Sequence, residues 1–171
     1  MITNYLPTFK VVEVNNLVGL RSGHMLAQQK AAADIAMKTY GDYKFIENGI
    51  ICGLNADGTI GNYDLTKHGA AMFLHYTEEL NTYIDELKYF AVPVENGEAY
   101  PRCIALYIGD TFTTNNYTGT EAGANYAKVV GGVLTLQAAA DKDSAFIVTE
   151  SSLPTGEKAY EFMFYRVPTA E

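Results

Sequence analysis

Most hydrophobic positions of this 171-residue chain fall in short runs bounded by Gly, Asn, Asp and Pro, the pattern of strands joined by turns. Val12, Glu13 and Val14 alternate and predict a short strand or extended arm. Residues 50–54 are apolar and are closed by Asn55-Ala56-Asp57-Gly58, a turn cluster. Residues 70–76 and 102–108 read as further strands, the second stopped at Gly109-Asp110. Residues 83–93 read as helical at first and then extended. Glu95-Asn96-Gly97 follows as a hairpin-type turn, because Asn-Gly tolerates the positive φ angles such turns need. Residues 126–130 and 133–136 flank Gly131-Gly132 and predict a hairpin, and residues 145–149 add a strand. Leu153-Pro154-Thr155-Gly156 is a turn pattern, with Pro setting φ and Gly accepting a positive value. Residues 160–167 are apolar on both faces, which predicts a strand inside a sheet.

Two stretches depart from this rhythm. Residues 24–38, HMLAQQKAAADIAMK, are rich in the good helix formers Ala, Gln, Met and Lys and predict the one clear helix. Ser22 would cap it, and Gly41 lies just past its end. Its apolar stripe of Met25, Ala32, Ile35 and Ala36, with Gln28 among them, is small and suits packing on a sheet. Residues 111–126 are dominated by Thr, Asn, Gly and Tyr with Glu121 as their only charge, and predict a long loop. The fold class that follows is mainly β: a barrel-like or sandwich-like antiparallel sheet with one helix near the N-terminus. Residues 1–20 read as an N-terminal arm or edge strand and residues 21–171 as a single β-rich domain. If that domain divides into two sub-units, they join near residue 109.

Composition narrows the function classes. Hydrophobic residues make up 48% and charged residues 19%, so intrinsic disorder is excluded as the main state. Twelve Lys and Arg against twenty Asp and Glu give a net charge of −8, which argues against a phosphate-neutralising nucleic-acid binder and against docking on anionic lipid. No run approaches the roughly 20 apolar residues of a membrane span. The start MITNYLPTFKVVEVNN lacks the basic head and apolar run of a secretory signal, so the expectation is folding in a cytosol. Cys52 and Cys103 each sit in an apolar run and read as buried reduced thiols.

Catalytic and metal chemistry find little support. His24, His68 and His75 have no HxxxH or HExxH spacing, and His75 in AMFLHY reads as a core residue. Asn55-Ala56-Asp57-Gly58-Thr59-Ile60 resembles the middle of a calcium loop, yet Gly53 stands where the first acidic ligand belongs and Asp64 replaces the long bidentate Glu. It reads as a hairpin turn, and Asp141-Lys142-Asp143 as a solvated loop tip. Glu78 and Glu79 are adjacent and diverge on a helix or a strand alike, so they make no acid–base pair. Cys103 with His75 would serve an enzyme only in a shared pocket, and no nucleophile elbow or phosphate loop is present. The expectation is a protein that is not an enzyme and takes no metal or cofactor.

The surface chemistry is more informative. Thirteen Tyr outnumber eight Phe and there is no Trp, and a Tyr ring with its polar tip suits positions covered when a partner arrives. Tyr107, Tyr117 and Tyr126 flank or sit in the polar stretch around Asn115 and Asn116. Tyr5, Leu6 and Phe9 lie in an N-terminal segment too short to bury them unaided. These six are the candidate partner-binding residues. Six acids between Glu78 and Glu98 face only Lys88 and read as a solvated side.

YKFIENGIICGLNADGTIG, AAMFLHYTEELNT, GDTFTTNNYTG and YAKVVGGVLTLQ together resemble, in style and order over residues 43–167, small capsid-associated proteins of tailed bacteriophages, of the decoration, cement or head-fibre-base kind. The resemblance implies a β-rich protein bound on or between major capsid subunits, with no active site to carry over. The expectation is a virion structural protein, assembled in the host cytoplasm, binding the shell in many copies as a homo-oligomer and stabilising it. Its partners would be the major capsid protein or other virion proteins. The alternative is a carbohydrate- or receptor-binding module of a phage tail or fibre, because Tyr rings beside Asn and Asp in residues 107–126 are what sugar faces require.

Overall fold

A computed structural model describes residues 10–21, 23–40, 43–77, 92–93 and 98–169. These are 44% strand and 6% helix, in antiparallel sheets of which one is curled into a half-barrel. With strands numbered in chain order, the largest sheet has seven: β1 (Val12–Asn16), β10 (Thr111–Thr114), β15 (Lys158–Phe164), β14 (Ser144–Ser152), β12 (Tyr126–Val130), β13 (Val133–Gln137) and β11 (Tyr117–Gly119), side by side in that order. Its neighbours are antiparallel except β11, which runs parallel to β13. A five-stranded sheet carries β2 (Met25–Leu26), β9 (Cys103–Ala105), β7 (Phe73–His75), β5 (Ile51–Leu54) and β6 (Ile60–Asn62). Three further strands, β3 (Lys38–Tyr40), β4 (Tyr43–Ile46) and β8 (Val92–Pro93), form a third sheet. The described residues also hold two four-residue helices, α1 (Val18–Arg21) and α2 (Leu65–His68).

The alternation of side chains along a strand makes the five-stranded sheet the middle layer. Ile51, Leu74 and Ile104 stand in register across β5, β7 and β9. They face a first core shared with Phe112, Phe146, Phe162 and Phe164 of the large sheet. Their chain neighbours Cys52 and Cys103 point the other way, into a second core with Ile35, Ile46, Ile50, Ile60 and Ala99. Cys52 and Cys103 are both free, and β7 lies between their strands. Two strand spacings are about 9.5 Å, beyond the ~7 Å that a disulfide can bridge.

Several expectations hold in detail. Asn55–Gly58 turns the β5–β6 hairpin, with Asp57 Oδ1 accepting from the Thr59 amide at 2.9 Å. Gly131 and Gly132 join β12 to β13 at φ of 56° and 80°, the positive pair that a two-residue hairpin turn demands. β15 lies between β10 and β14, inside its sheet as its apolar faces require.

Two expectations fail. Residues 24–38 are not a helix: β2, an isolated bridge from Ala31 to Ile60, a turn and the start of β3 carry them in extended form. Their helix propensity is overridden because the stripe has one strongly apolar member, Ile35, and laying the backbone across β6 seats it in the second core. The helix near the N-terminus is α1 instead, one turn long. Residues 111–126 are not a long loop: Thr111–Thr114 pairs with both β1 and β15, and Tyr117–Gly119 pairs with β13. Thr, Phe and Tyr are strand formers, and Asn115 and Asn116 merely join the two strands. The helical start expected at residue 83, the Asn96-Gly97 turn and the proposed caps Ser22 and Gly41 lie outside the described residues.

Candidate functional site

The six candidate residues do not converge. Tyr5, Leu6 and Phe9 lie outside the described residues. Tyr117 is on the edge strand β11, its ring edge-on to Tyr160 at 5.0 Å and its hydroxyl donating to Glu121 at 2.9 Å. Burial, then the Glu121 carboxylate, push that phenol up to about 12. Tyr126 is half-buried on β12, 6.2 Å from the ring of Tyr165. Tyr107 belongs to another surface, just past the end of β9. The polar side chains that a sugar site would need are already engaged. Asn115 Oδ1 accepts from the Val11 amide at 2.9 Å, and Asn116, itself buried, donates to Asn48 O at 2.6 Å.

The surface around Tyr107 is the one that the fold builds with most care. Asp110, completely buried, accepts from the Val18 amide at 2.7 Å through one carboxylate oxygen and from the Tyr107 amide at 2.9 Å through the other. One side chain thereby fixes both the start of α1 and the turn 107–110. That turn is tied to the end of β15 by Gly109 N to Phe164 O at 2.7 Å and Phe164 N to Asp110 O at 3.0 Å. Gly19 lets α1 lie flat on β9, since a Cβ there would stand 2.3 Å from the Ala105 carbonyl oxygen. The Tyr107 hydroxyl meets His24 Nδ1.

On α1, β2 and the 107–110 turn, five large apolar side chains are left open to solvent: Val18, Leu20, Met25, Tyr107 and Ile108, the last 62% exposed. Beside them runs a groove of about 670 Å³ lined by Met25, Leu26, Met72, Phe73, Leu106 and Tyr107 among others. Met72 and Leu106 belong to the first core, Leu26 and Phe73 to the rim of the second. The groove thus opens where the two cores meet. Exposed apolar side chains beside an apolar groove are a feature of docking surfaces.

Of these residues sequence reading singled out Tyr107 alone. Ile108 looked like the last residue of a strand, and Asp110 like part of a turn. The available signal was a lone acid after an apolar run ending in Gly, which needs backbone amides once buried.

A second cavity, of about 510 Å³, has a mixed lining in which Asp34, Asn62, Asp64, Lys67, Lys128 and Asp143 stand beside Leu65, Met72 and Val129. Several of its groups hold the fold. Asp64 caps α2 through the Thr66 amide at 2.8 Å, Lys128 pairs with Asp141 at 3.2 Å, and Asn62 donates to Asp34 O at 2.6 Å. At its edge, burial and the Asp64 charge raise the Tyr63 phenol to about 12.

Cys103 and His75 do stand side by side, in register on β9 and β7, and both are completely buried. His75 Nδ1 donates to Arg102 O at 2.8 Å, and its Nε2 has no hydrogen-bond partner. The Cys52 thiol, then His75, pull the Cys103 thiol below its ordinary range, while Cys103 and burial push Cys52 well above it. Among the described residues no three His, Cys, Asp or Glu side chains are placed to hold a metal ion, and no helix is long and apolar enough to cross a membrane. Glu78 and Glu79 lie outside the described residues. Comparison with known protein families, characterised proteins and solved structures finds no match to this chain.

Proposed function

We propose that the chain is a bacteriophage virion structural protein that binds the capsid shell in many copies and stabilises it, acting by binding and not by catalysis. The observation that carries this reading is the set of exposed apolar side chains Val18, Leu20, Met25, Tyr107 and Ile108 near the groove, with buried Asp110 fixing the Val18 and Tyr107 amides. A fold that uses a fully buried carboxylate to fix exposed apolar side chains has arranged them in advance, and preorganisation of this kind lowers the entropic cost of docking. A specific contact of about 800 Å² per partner would extend beyond the patch onto its polar rim. Repetition over a shell multiplies a modest single-site affinity. A bound copy then opposes the parting of the subunits beneath it, because it must be released first. The resemblance over residues 43–167 points to the same role.

The test is gradient sedimentation of lysate from cells producing the intact virus, with mass spectrometry across the fractions. Migration with capsids at a copy number tied to the shell lattice is expected. A double variant, Met25→Glu with Ile108→Glu, should fold normally, since both side chains are exposed, yet stay at the top of the gradient. A wild-type chain that never leaves the top overturns the structural role. A variant that travels with capsids like wild type overturns the assignment of the patch.

A further inference from the structure

The segment 24–38 combines two facts that do not fit together. Its composition is that of a helix, with no Gly or Pro in fifteen residues and Ile35 as the only β-branched side chain. Its conformation is extended, and Ala is poorly suited to strands. Burial compensates little of that mismatch. Of these fifteen residues, all described, Ile35 alone is buried, at 4% exposure, while the seven-residue β15 buries four. The segment is fastened at both ends, where β2 pairs with β9 and Lys38 begins β3, and at fewer places between, where Asn62 Nδ2 donates to Asp34 O at 2.6 Å. Ala31 N donates to Ala99 O at 2.8 Å, Ala32 N to Ile60 O at 2.7 Å, and Ile60 N to Lys30 O at 2.9 Å. The Ala36 amide reaches Asn62 Oδ1 at 2.8 Å, and a solvent-exposed Lys30–Glu98 pair at 2.7 Å adds a clip. Beneath it lies the second core, which holds the completely buried Cys52 and Cys103. Lifting the segment would return fifteen residues to the conformation that they favour locally, at the cost of exposing Ile35, uncovering Leu26, Ala31 and Ala36, and breaking the β2–β9 pairs.

We propose that residues 24–38 are a two-state strap: extended and sealing the second core in this structure, α-helical when lifted, with Ile35 as the latch. A conflict between local preference and global fold, held by one fully buried side chain and a limited set of hydrogen bonds, is the condition for two states close in free energy. The large sheet stays folded in both states, because the first core contains no part of the strap. His24, Met25 and Leu26 also line the groove beside Tyr107, so lifting the strap reshapes the docking surface. The strap follows from the fold alone and stands whether or not the partner is a capsid.

Thiol labelling of the intact isolated protein with a disulfide reagent under native conditions tests this. Cys52 and Cys103 should react through a local opening, faster than global unfolding measured on the same sample. Ile35→Ala should speed labelling at least tenfold and deepen the helical signal at 222 nm. Ala33→Pro should slow labelling at least tenfold. Ala33 is exposed at the second position of the turn closed by Ile35 N to Ala32 O at 3.2 Å, where proline fits, whereas mid-helix it breaks the helix. The double variant should lose the gain at 222 nm. Val148→Ala, in the first core, should leave the labelling rate within about twofold, as local opening is insensitive to global stability. Labelling only at the global unfolding rate, or equal acceleration by Val148→Ala and Ile35→Ala, overturns the strap. So does opening by Ile35→Ala with no helical signal that Ala33→Pro removes.

Discussion

The two faces of the middle sheet are covered very differently. On one side, Ile51, Leu74 and Ile104 meet the seven-stranded sheet, and the space between is filled by an aromatic cluster. Phe112 stacks on Phe162 at 5.8 Å and meets Phe146 edge-on at 6.0 Å. Both walls there are hydrogen-bonded ladders. On the other side the buried residues are aliphatic side chains, Ala99 and two cysteines. Part of their cover is a strap of mostly exposed alanines and polar residues. One sheet can therefore have a permanent face and a provisional one. Stability is not uniform across a structure, and the regions that move come from the weakly covered end of the range. The groove beside Tyr107 lies at the junction of the two, with Met72 and Leu106 from the firm side and Leu26 and Phe73 from the soft one.

The largest effect should come from the firm side. Phe162→Ala removes a completely buried ring that touches two other phenylalanines, and the expected loss is about 3–5 kcal/mol. Chemical denaturation should show one cooperative transition at lower denaturant, because the defect lies in the shared core. A variant whose second core melted separately while the large sheet held would reverse the ranking of the two faces. Next comes the junction. Asp110→Ala leaves the amides of Val18 and Tyr107 without their acceptor, a loss of about 2–4 kcal/mol in the same assay. It should also release α1 and abolish docking even where the sheet remains folded. Unchanged stability would mean that water replaces the carboxylate and that the patch is not built by it.

Most of the firm side, β10 and β11 apart, was also the legible part. Its strands carry β-branched and aromatic residues in runs bounded by Gly, Asn and Pro, so propensity, pattern and turn chemistry agree for residues 126–136 and 144–164. The soft side misled because local preference and tertiary need disagree there: an alanine-rich segment is read as a helix unless one knows that a sheet face lies waiting to be covered. Residues 111–119 misled for another reason. Thr and Asn next to Gly suggest a loop, yet the threonine side chains serve the fold here, with Thr114 Oγ1 donating to Val11 O at 2.6 Å and Asn15 Nδ2 reaching Thr113 Oγ1 at 2.9 Å. Of the proposed docking surface, sequence pointed only to Tyr107. Exposure of Val18, Leu20 and Ile108 depends on how α1 and the 107–110 turn lie on β9, and buried Asp110, 92 residues beyond Val18, ties the two together.

The smallest effect concerns acid and sharpens the same contrast. Asp141 gathers the end of the large sheet. Gln137 Nε2 donates to it at 2.7 Å, Lys128 Nζ approaches at 3.2 Å, and the Asp143 amide donates at 2.9 Å, while Arg166 caps its carbonyl. The Gln137 amide first, then Lys128 and Ser144, hold its carboxyl well below the ordinary range. A carboxyl depressed in the folded state contributes stability that is fully present above the unfolded value of about 3.9 and is lost as pH falls toward the folded value. Denaturation midpoints should therefore decline from about pH 4 downward, and Asp141→Asn, lower at neutral pH, should decline less steeply over that window. Glu98, on the strap's clip, is also depressed, by Lys30 first. That pair is open to solvent and screened, so Glu98→Gln should leave the acid limb as it is. If instead Glu98→Gln flattens the limb and Asp141→Asn does not, the strap and not the large sheet sets the stability of this protein in acid, and the order of the two faces is inverted.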